Sequence, residues 1–72
     1  MQLTAAEKIK IILSRRKMTF AELAKQLGQS RQNLSNKINR NNFNEKELFE
    51  IAKALNCSYE ARFIMNDTGD EI

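Results

Sequence analysis

The stretch that most constrains this fold is Thr19-Phe-Ala-Glu-Leu-Ala-Lys-Gln-Leu-Gly-Gln-Ser-Arg-Gln-Asn-Leu-Ser-Asn-Lys-Ile38, which spells two short helices and a tight turn. Thr19 followed three residues later by Glu22 is a capping box, in which each residue satisfies the other's backbone N–H. Phe20, Leu23, Ala24 and Leu27 then recur at helical spacing and predict one buried face. Gly28 can take the left-handed conformation that ends a helix without a Cβ clash. Ser30 supplies the next N-cap, and Leu34 with Ile38 gives the second helix its inward stripe. Arg31, Gln32, Asn33, Ser35 and Asn36 point outward near its start. Guanidinium and carboxamide groups of this kind bond bidentately to guanine and adenine edges.

Around this pair the pattern predicts one domain over residues 1–72, mainly α, with four helices and a C-terminal β-hairpin. The first helix starts after Thr4, capped reciprocally with Glu7, and runs to about residue 16 or 17. Ala5, Ala6, Ile9, Ile12 and Leu13 form its buried face, and Arg15, Arg16 and Lys17 gather where cations oppose the helix dipole. The next two helices cover about residues 20–27 and 31–39. Asn39 to Asn44 reads as a loop. Asn44 with Glu47 starts a fourth helix that buries Leu48, Ile51, Ala52 and Leu55 and ends near Asn56. The period then changes from 3.6 to 2. Tyr59, Ala61, Phe63 and Met65 alternate with Glu60, Arg62, Ile64 and Asn66. Asn66-Asp-Thr-Gly69 gives a turn, so a hairpin is expected over about residues 58–72. An isolated hairpin is marginal in water. Its Ala61/Phe63/Met65 face is therefore expected on the first and fourth helices, with Phe63 as anchor, and its edge is a template for a second copy.

Composition narrows the function. The chain has 72 residues, no His, no Pro and one Cys. A lone Cys57 makes neither a disulfide framework nor a zinc site, and suits a reducing cytoplasm. No paired carboxylates or nucleophile–base arrangement is visible, so no enzyme, metal or cofactor is expected. No signal peptide is apparent and no apolar run approaches a membrane span. The net charge of +3 hides an uneven distribution. Residues 1–40 carry nine Lys/Arg against two acids, net +7, and residues 41–72 carry three against seven, net −4. A basic half that holds the paired helices suits a surface presented to phosphates.

Over about residues 4–55 the chain resembles the Cro/repressor type of helix-turn-helix regulator, the lambda-repressor-like fold of bacterial and phage transcription factors. The residues that carry the resemblance are Thr19-x-x-Glu-Leu-Ala-x-x-Leu-Gly-x-Ser-Arg-Gln-x-Leu-Ser-Asn, with Ala24, Gly28 and Leu34 at the family's buried positions. Two departures stand out. Phe20 occupies a position that is often Gln, and Lys37 one that is usually apolar. The resemblance implies a helix-turn-helix over residues 19–39 and a sequence-specific regulator of double-stranded DNA, most simply a repressor acting by occlusion.

In that frame Arg31, Gln32 and Asn36 are the expected base contacts, because the N-terminal part of such a helix enters the major groove. Thr19, Ser30, Ser35, Lys37, Arg40 and Asn42 are the expected phosphate or backbone contacts. Asn33, next to Leu34, stands between reading and solvent exposure. Phe20 belongs with the core. Palindromic sites favour a homodimer, whose interface is expected at Tyr59, Ala61, Phe63 and Met65. The alternative is an antitoxin- or adaptor-like module that keeps the fold and binds a protein. The fold alone does not choose between them.

Overall fold

The structure, a computed structural model, describes residues 3–72. It contains α1 (Ala5–Arg16), α2 (Phe20–Gln26), α3 (Arg31–Arg40) and α4 (Glu45–Ala54). Each begins where the capping pattern places it. The Thr4 hydroxyl accepts from Glu7 N–H at 3.1 Å while Thr4 N–H donates to Glu7 Oε1 at 3.0 Å. The same reciprocal box joins Thr19 and Glu22. Ser30 and Asn44 each accept from the backbone N–H three residues on, at 3.1 and 2.8 Å. These contacts satisfy N–H groups that a helix's first turn otherwise leaves unpaired. The Thr4 backbone N–H, followed by its hydroxyl, also holds the Glu7 carboxyl below its ordinary pKa, and Lys10 adds a smaller pull in the same direction.

All four helices end in one way. A single residue turns left-handed: Lys17 (φ 54°), Gly28 (φ 70°), Asn41 (φ 50°) and Asn56 (φ 56°). The following N–H then reaches back to a carbonyl five residues earlier. The bonds are Met18 to Leu13, Gln29 to Ala24, Asn42 to Lys37 and Cys57 to Ala52, at 2.8–3.0 Å. This is the Schellman closure, usually built on glycine. Here glycine serves one helix, and Asn, whose short side chain tolerates the left-handed region, serves two.

The core joins all four helices. Ala6, Ile9 and Leu13 come from α1, Leu23 and Ala24 from α2, Leu34 and Ile38 from α3, and Ile51 from α4, with Leu55 just after it. Leu23, Leu34 and Leu55 are completely enclosed, and burial of each contributes about 1.5–3 kcal/mol. Ile12, Phe20, Leu27, Phe43 and Leu48 are half-buried around them. Thus Phe20 lies with the core, as expected. Two polar ties bind the elements end to end. Asn41 Oδ1 accepts from Ala6 N–H at 3.0 Å, so the residue that closes α3 also caps α1. Arg16 donates to the Asn56 carbonyl at 3.2 Å, which joins the end of α1 to the end of α4.

The C-terminal β-hairpin expected over residues 58–72 does not form strands. Among the described residues there is only an isolated antiparallel bridge between Ile64 and Glu71, around a turn in which Gly69 has φ 79°. The alternating sequence does fold back, with Met65 N–H donating to the Asp70 carbonyl at 2.8 Å. It lacks a third strand or a helix face beneath it, however, and a ladder this short is not self-sustaining. The expected packing of Ala61, Phe63 and Met65 on the helices is also absent: all three are exposed, Phe63 to 80%. The aromatic contact in this region belongs to Tyr59, whose ring meets Phe49 of α4 edge-on, with centroids 5.1 Å apart. A radius of gyration of 13.9 Å, against about 11 Å for a compact chain of this length, fits a segment lying off the helical body.

The Asn41 tie yields a measurable separation. Asn41→Gly keeps the left-handed closure and removes the cap on α1, at a cost of about 1 kcal/mol. Asn41→Ala also loses the short polar side chain that lets Asn tolerate the left-handed region, raising the cost to roughly 2–3 kcal/mol. Urea midpoints of the two variants, at unchanged m-value, check the order.

Candidate nucleic-acid interface

The rotation of α3 about its axis is set by Leu34 and Ile38, one turn apart and both buried. Four residues advance a helix by just over one turn, so both side chains enter the same side of the core. Gln32, Asn33, Asn36 and Arg40 are consequently exposed, while Ser35 and Lys37 are half-buried on the flanks; Arg31, on the same side as Leu34 and Ile38, is exposed because it opens the helix beyond the core. The sequence of α3 thus produces a helix with one apolar edge and a continuous polar face.

Within that face the side chains differ in freedom. Among the described residues no intramolecular side-chain hydrogen bond engages Arg31, Gln32 or Asn36. Asn33 donates its amide to Gln29 Oε1 at 3.4 Å, a long bond that draws it toward the turn. The Thr19 hydroxyl is held by Glu22 at 3.1 Å and the Ser30 hydroxyl by Asn33 N–H, so both act first as caps. Arg40 is exposed at the last position of α3, and Asn42 is exposed in the loop beyond it.

Lys37 is placed differently from the other expected phosphate contacts. Its ammonium pairs with the Glu47 carboxylate of α4, the two side chains being 28% and 21% exposed. The pair occupies the flank where the resembling family places an apolar side chain, and it braces α3 against α4. The sequence pattern pairs Asn44 with Glu47 at the start of α4. The Asn44 side chain does accept from Glu47 N–H, while the Glu47 carboxylate turns to Lys37.

Sequence reasoning also passed over Lys10. Together with Ser14, Thr19 and Arg31 it lines a concavity of about 670 Å³ between α1 and the starts of α2 and α3. Only the packing of α1 beside α2 brings residue 10 near residue 31, so no local pattern announces it. Of the residues expected at a dimer interface, Tyr59 is half-buried against Phe49, whereas Ala61, Phe63 and Met65 are exposed beside Ile64 and Ile72. No helix is long and apolar enough to cross a membrane.

The Lys37–Glu47 pair separates the two cations near the end of α3. Arg40→Ala should reduce the dependence of log affinity for duplex DNA on log salt by about one unit. Lys37→Ala should reduce it by less, because its charge is already matched, and should lower stability by leaving Glu47 half-buried without a partner. Salt titrations of binding, run beside thermal melts, distinguish the two.

A family model described as the Cro/C1-type HTH DNA-binding domain matches residues 8–60. No curated protein and no solved structure gives a significant match to the chain.

Proposed function

The chain belongs to the Cro/C1-type helix-turn-helix DNA-binding family, and from that premise we propose that it is a sequence-specific transcriptional regulator whose α3 reads the major groove. The observation that carries this is the exposed set Arg31, Gln32 and Asn36: Gln32 and Asn36 lie on the side of α3 away from Leu34 and Ile38, and Arg31 is exposed at the helix's first position. Arg31 suits the paired acceptors of guanine, and Gln32 or Asn36 the acceptor–donor pair of adenine. To Ser30, Thr19, Ser35, Arg40 and Asn42, on α3 and in the segments at the starts and ends of α2 and α3, we assign positioning on phosphates rather than reading of bases. Lys37 joins them to the extent that Glu47 releases it. A bound head covers the DNA beneath it, so occlusion of a promoter is the simplest regulatory outcome, in a cytoplasmic setting.

One head of this size touches few base pairs. Two heads on a palindrome roughly double the recognition free energy and sit about 34 Å apart. We assign the dimer contact to the C-terminal segment, where Phe63, Ile64, Met65 and Ile72 remain uncovered beside Ala61. Tyr59, packed on Phe49, is its root on the helical body. The same uncovered apolar residues favour one rival reading, a module that uses them to bind another protein. Steep loss of duplex affinity with rising salt supports the DNA reading. Absence of duplex binding at low salt supports the rival.

Selection of bound sites from random duplexes tests the reading directly. Arg31→Ala should weaken the selected site by about 1–3 kcal/mol and relax preference at one base pair. Retention of full sequence preference by Arg31→Ala combined with Gln32→Ala refutes α3 as the reader. For the assembly, sedimentation of the intact chain should show a dimer that truncation after Ser58 converts to a monomer. A monomer at tens of micromolar in the intact protein rejects the C-terminal contact.

A further inference from the structure

The cations of α3 differ in what holds them. Arg31 opens the helix and Arg40 closes it; both are exposed and, among the described residues, neither is in an ion pair. Lys37 lies between them, half-buried, with its ammonium on the Glu47 carboxylate of α4. Residues three and four apart are neighbours on a helix surface, so Lys37 shares one flank with Asn33 and Arg40. Of the two cations on that flank, only Arg40 is uncommitted.

Glu47 reaches Lys37 at the expense of a local bond. In α1 and α2 the glutamate three residues after the cap turns its carboxylate back to the cap. Glu7 accepts from Thr4 N–H at 3.0 Å and Glu22 from Thr19 N–H at 3.3 Å. At α4, Asn44 accepts from Glu47 N–H at 2.8 Å, but the Glu47 carboxylate accepts from the Lys37 ammonium instead. Among the described residues this is the ion pair that joins two of the four helices, since the others link Arg62 to Glu60 and Glu71 in the C-terminal segment.

We propose that Glu47 is an internal stand-in for DNA phosphate, a carboxylate that occupies Lys37 and thereby withholds one backbone contact from α3. An ammonium is a compact point charge on a flexible stem, so a carboxylate and a phosphate compete for it. The competition favours Glu47. Its carboxylate is already in place, and recruitment of Lys37 by DNA would leave that carboxylate half-buried, unpaired and beside a phosphate of like charge. Phosphate contacts hold a protein to every sequence alike. Glu47 is therefore autoinhibitory: it lowers the part of the affinity that does not depend on sequence and leaves base reading to Arg31, Gln32 and Asn36. The assignment rests on the reading that α3 enters the major groove.

The test measures affinity of the intact chain for a random-sequence duplex across a salt series, beside thermal melts of each variant. Glu47→Gln should bind roughly fivefold more tightly at about 0.15 M salt and steepen the log–log salt slope by about one unit, with base preference unchanged. Gln serves as well as Glu at that position of a capping box, so α4 keeps its start. If Glu47 only braced α3, the same substitution would weaken binding, and that sign overturns the proposal. Lys37→Gln combined with Glu47→Gln should match the slope of the unsubstituted chain, because the pair supplies no net phosphate contact. A slope lower by about one unit in this double variant would place Lys37 already on phosphate and also overturn it. Glu50, exposed on the same helix beside the end of α2, is the control for net charge. Glu50→Gln should leave the slope unchanged, and a steepening equal to that of Glu47→Gln refutes the assignment. If Arg40→Ala lowers the slope while Glu47→Gln leaves it unchanged, the masking of Lys37 is rejected and the α3 reading stands. If neither changes it, the α3 reading fails and the proposal with it.

Discussion

Leu34 and Ile38 are the side chains on which the rest of this surface depends. Their burial anchors α3, and because they lie one turn apart they also fix its rotation about its own axis. A small rotation would carry Asn36 toward the flank and Ser35 out of it. Leu23 and Leu55, enclosed beside Leu34, keep that phase by filling the space into which α3 would otherwise roll. In a well-packed interior such rolling requires many side chains to leave their rotamers together. The polar face is thus held by the apolar one, although the two share no atoms.

The flank of α3 shows how a charged pair substitutes for an apolar contact. Lys37 and Glu47 meet half-buried between α3 and α4. Such a pair stabilises little in net terms, since both ions lose part of their hydration, but it is strongly directional. An apolar side chain there would permit several registers between the helices, whereas the ion pair favours one. Directional bracing of this kind suits a helix that must present its outer face at a set angle.

Much of the helical fold was legible because helix starts are written locally. Thr4 with Glu7, Thr19 with Glu22, and Ser30 and Asn44 alone all state their roles within three residues. The buried stripe of α3 was equally plain, and its outward face followed by subtraction. Legibility failed where partners are far apart in sequence. Nothing near Asn41 shows that its side chain will cap α1, and nothing near Lys10 shows that it will share a concavity with Arg31. The left-handed closure at Lys17 carries no residue-type signal either, unlike Gly28. At the C-terminus the period of two was real, and the chain does reverse at Gly69. A strand, however, is defined by what it pairs with and packs on, and alternation between Tyr59 and Asn66 cannot supply that surface.

The Asn41 tie also has a kinetic consequence. It spans 35 residues, whereas α2 and α3 are joined by a four-residue connection that brings Leu23 and Leu34 together at small loop-closure cost. The order of folding then follows from chain entropy. The α2–α3 pair can condense first, and α1 docks once the left-handed turn at Asn41 has aimed its carboxamide at the waiting Ala6 N–H. In reverse, α1 is the element whose detachment breaks the fewest short-range contacts. Its amides would then exchange with solvent through a partial opening that leaves the two central helices closed. A nucleus formed by α2 and α3 would make the most autonomous part of this chain also the part that carries its polar face.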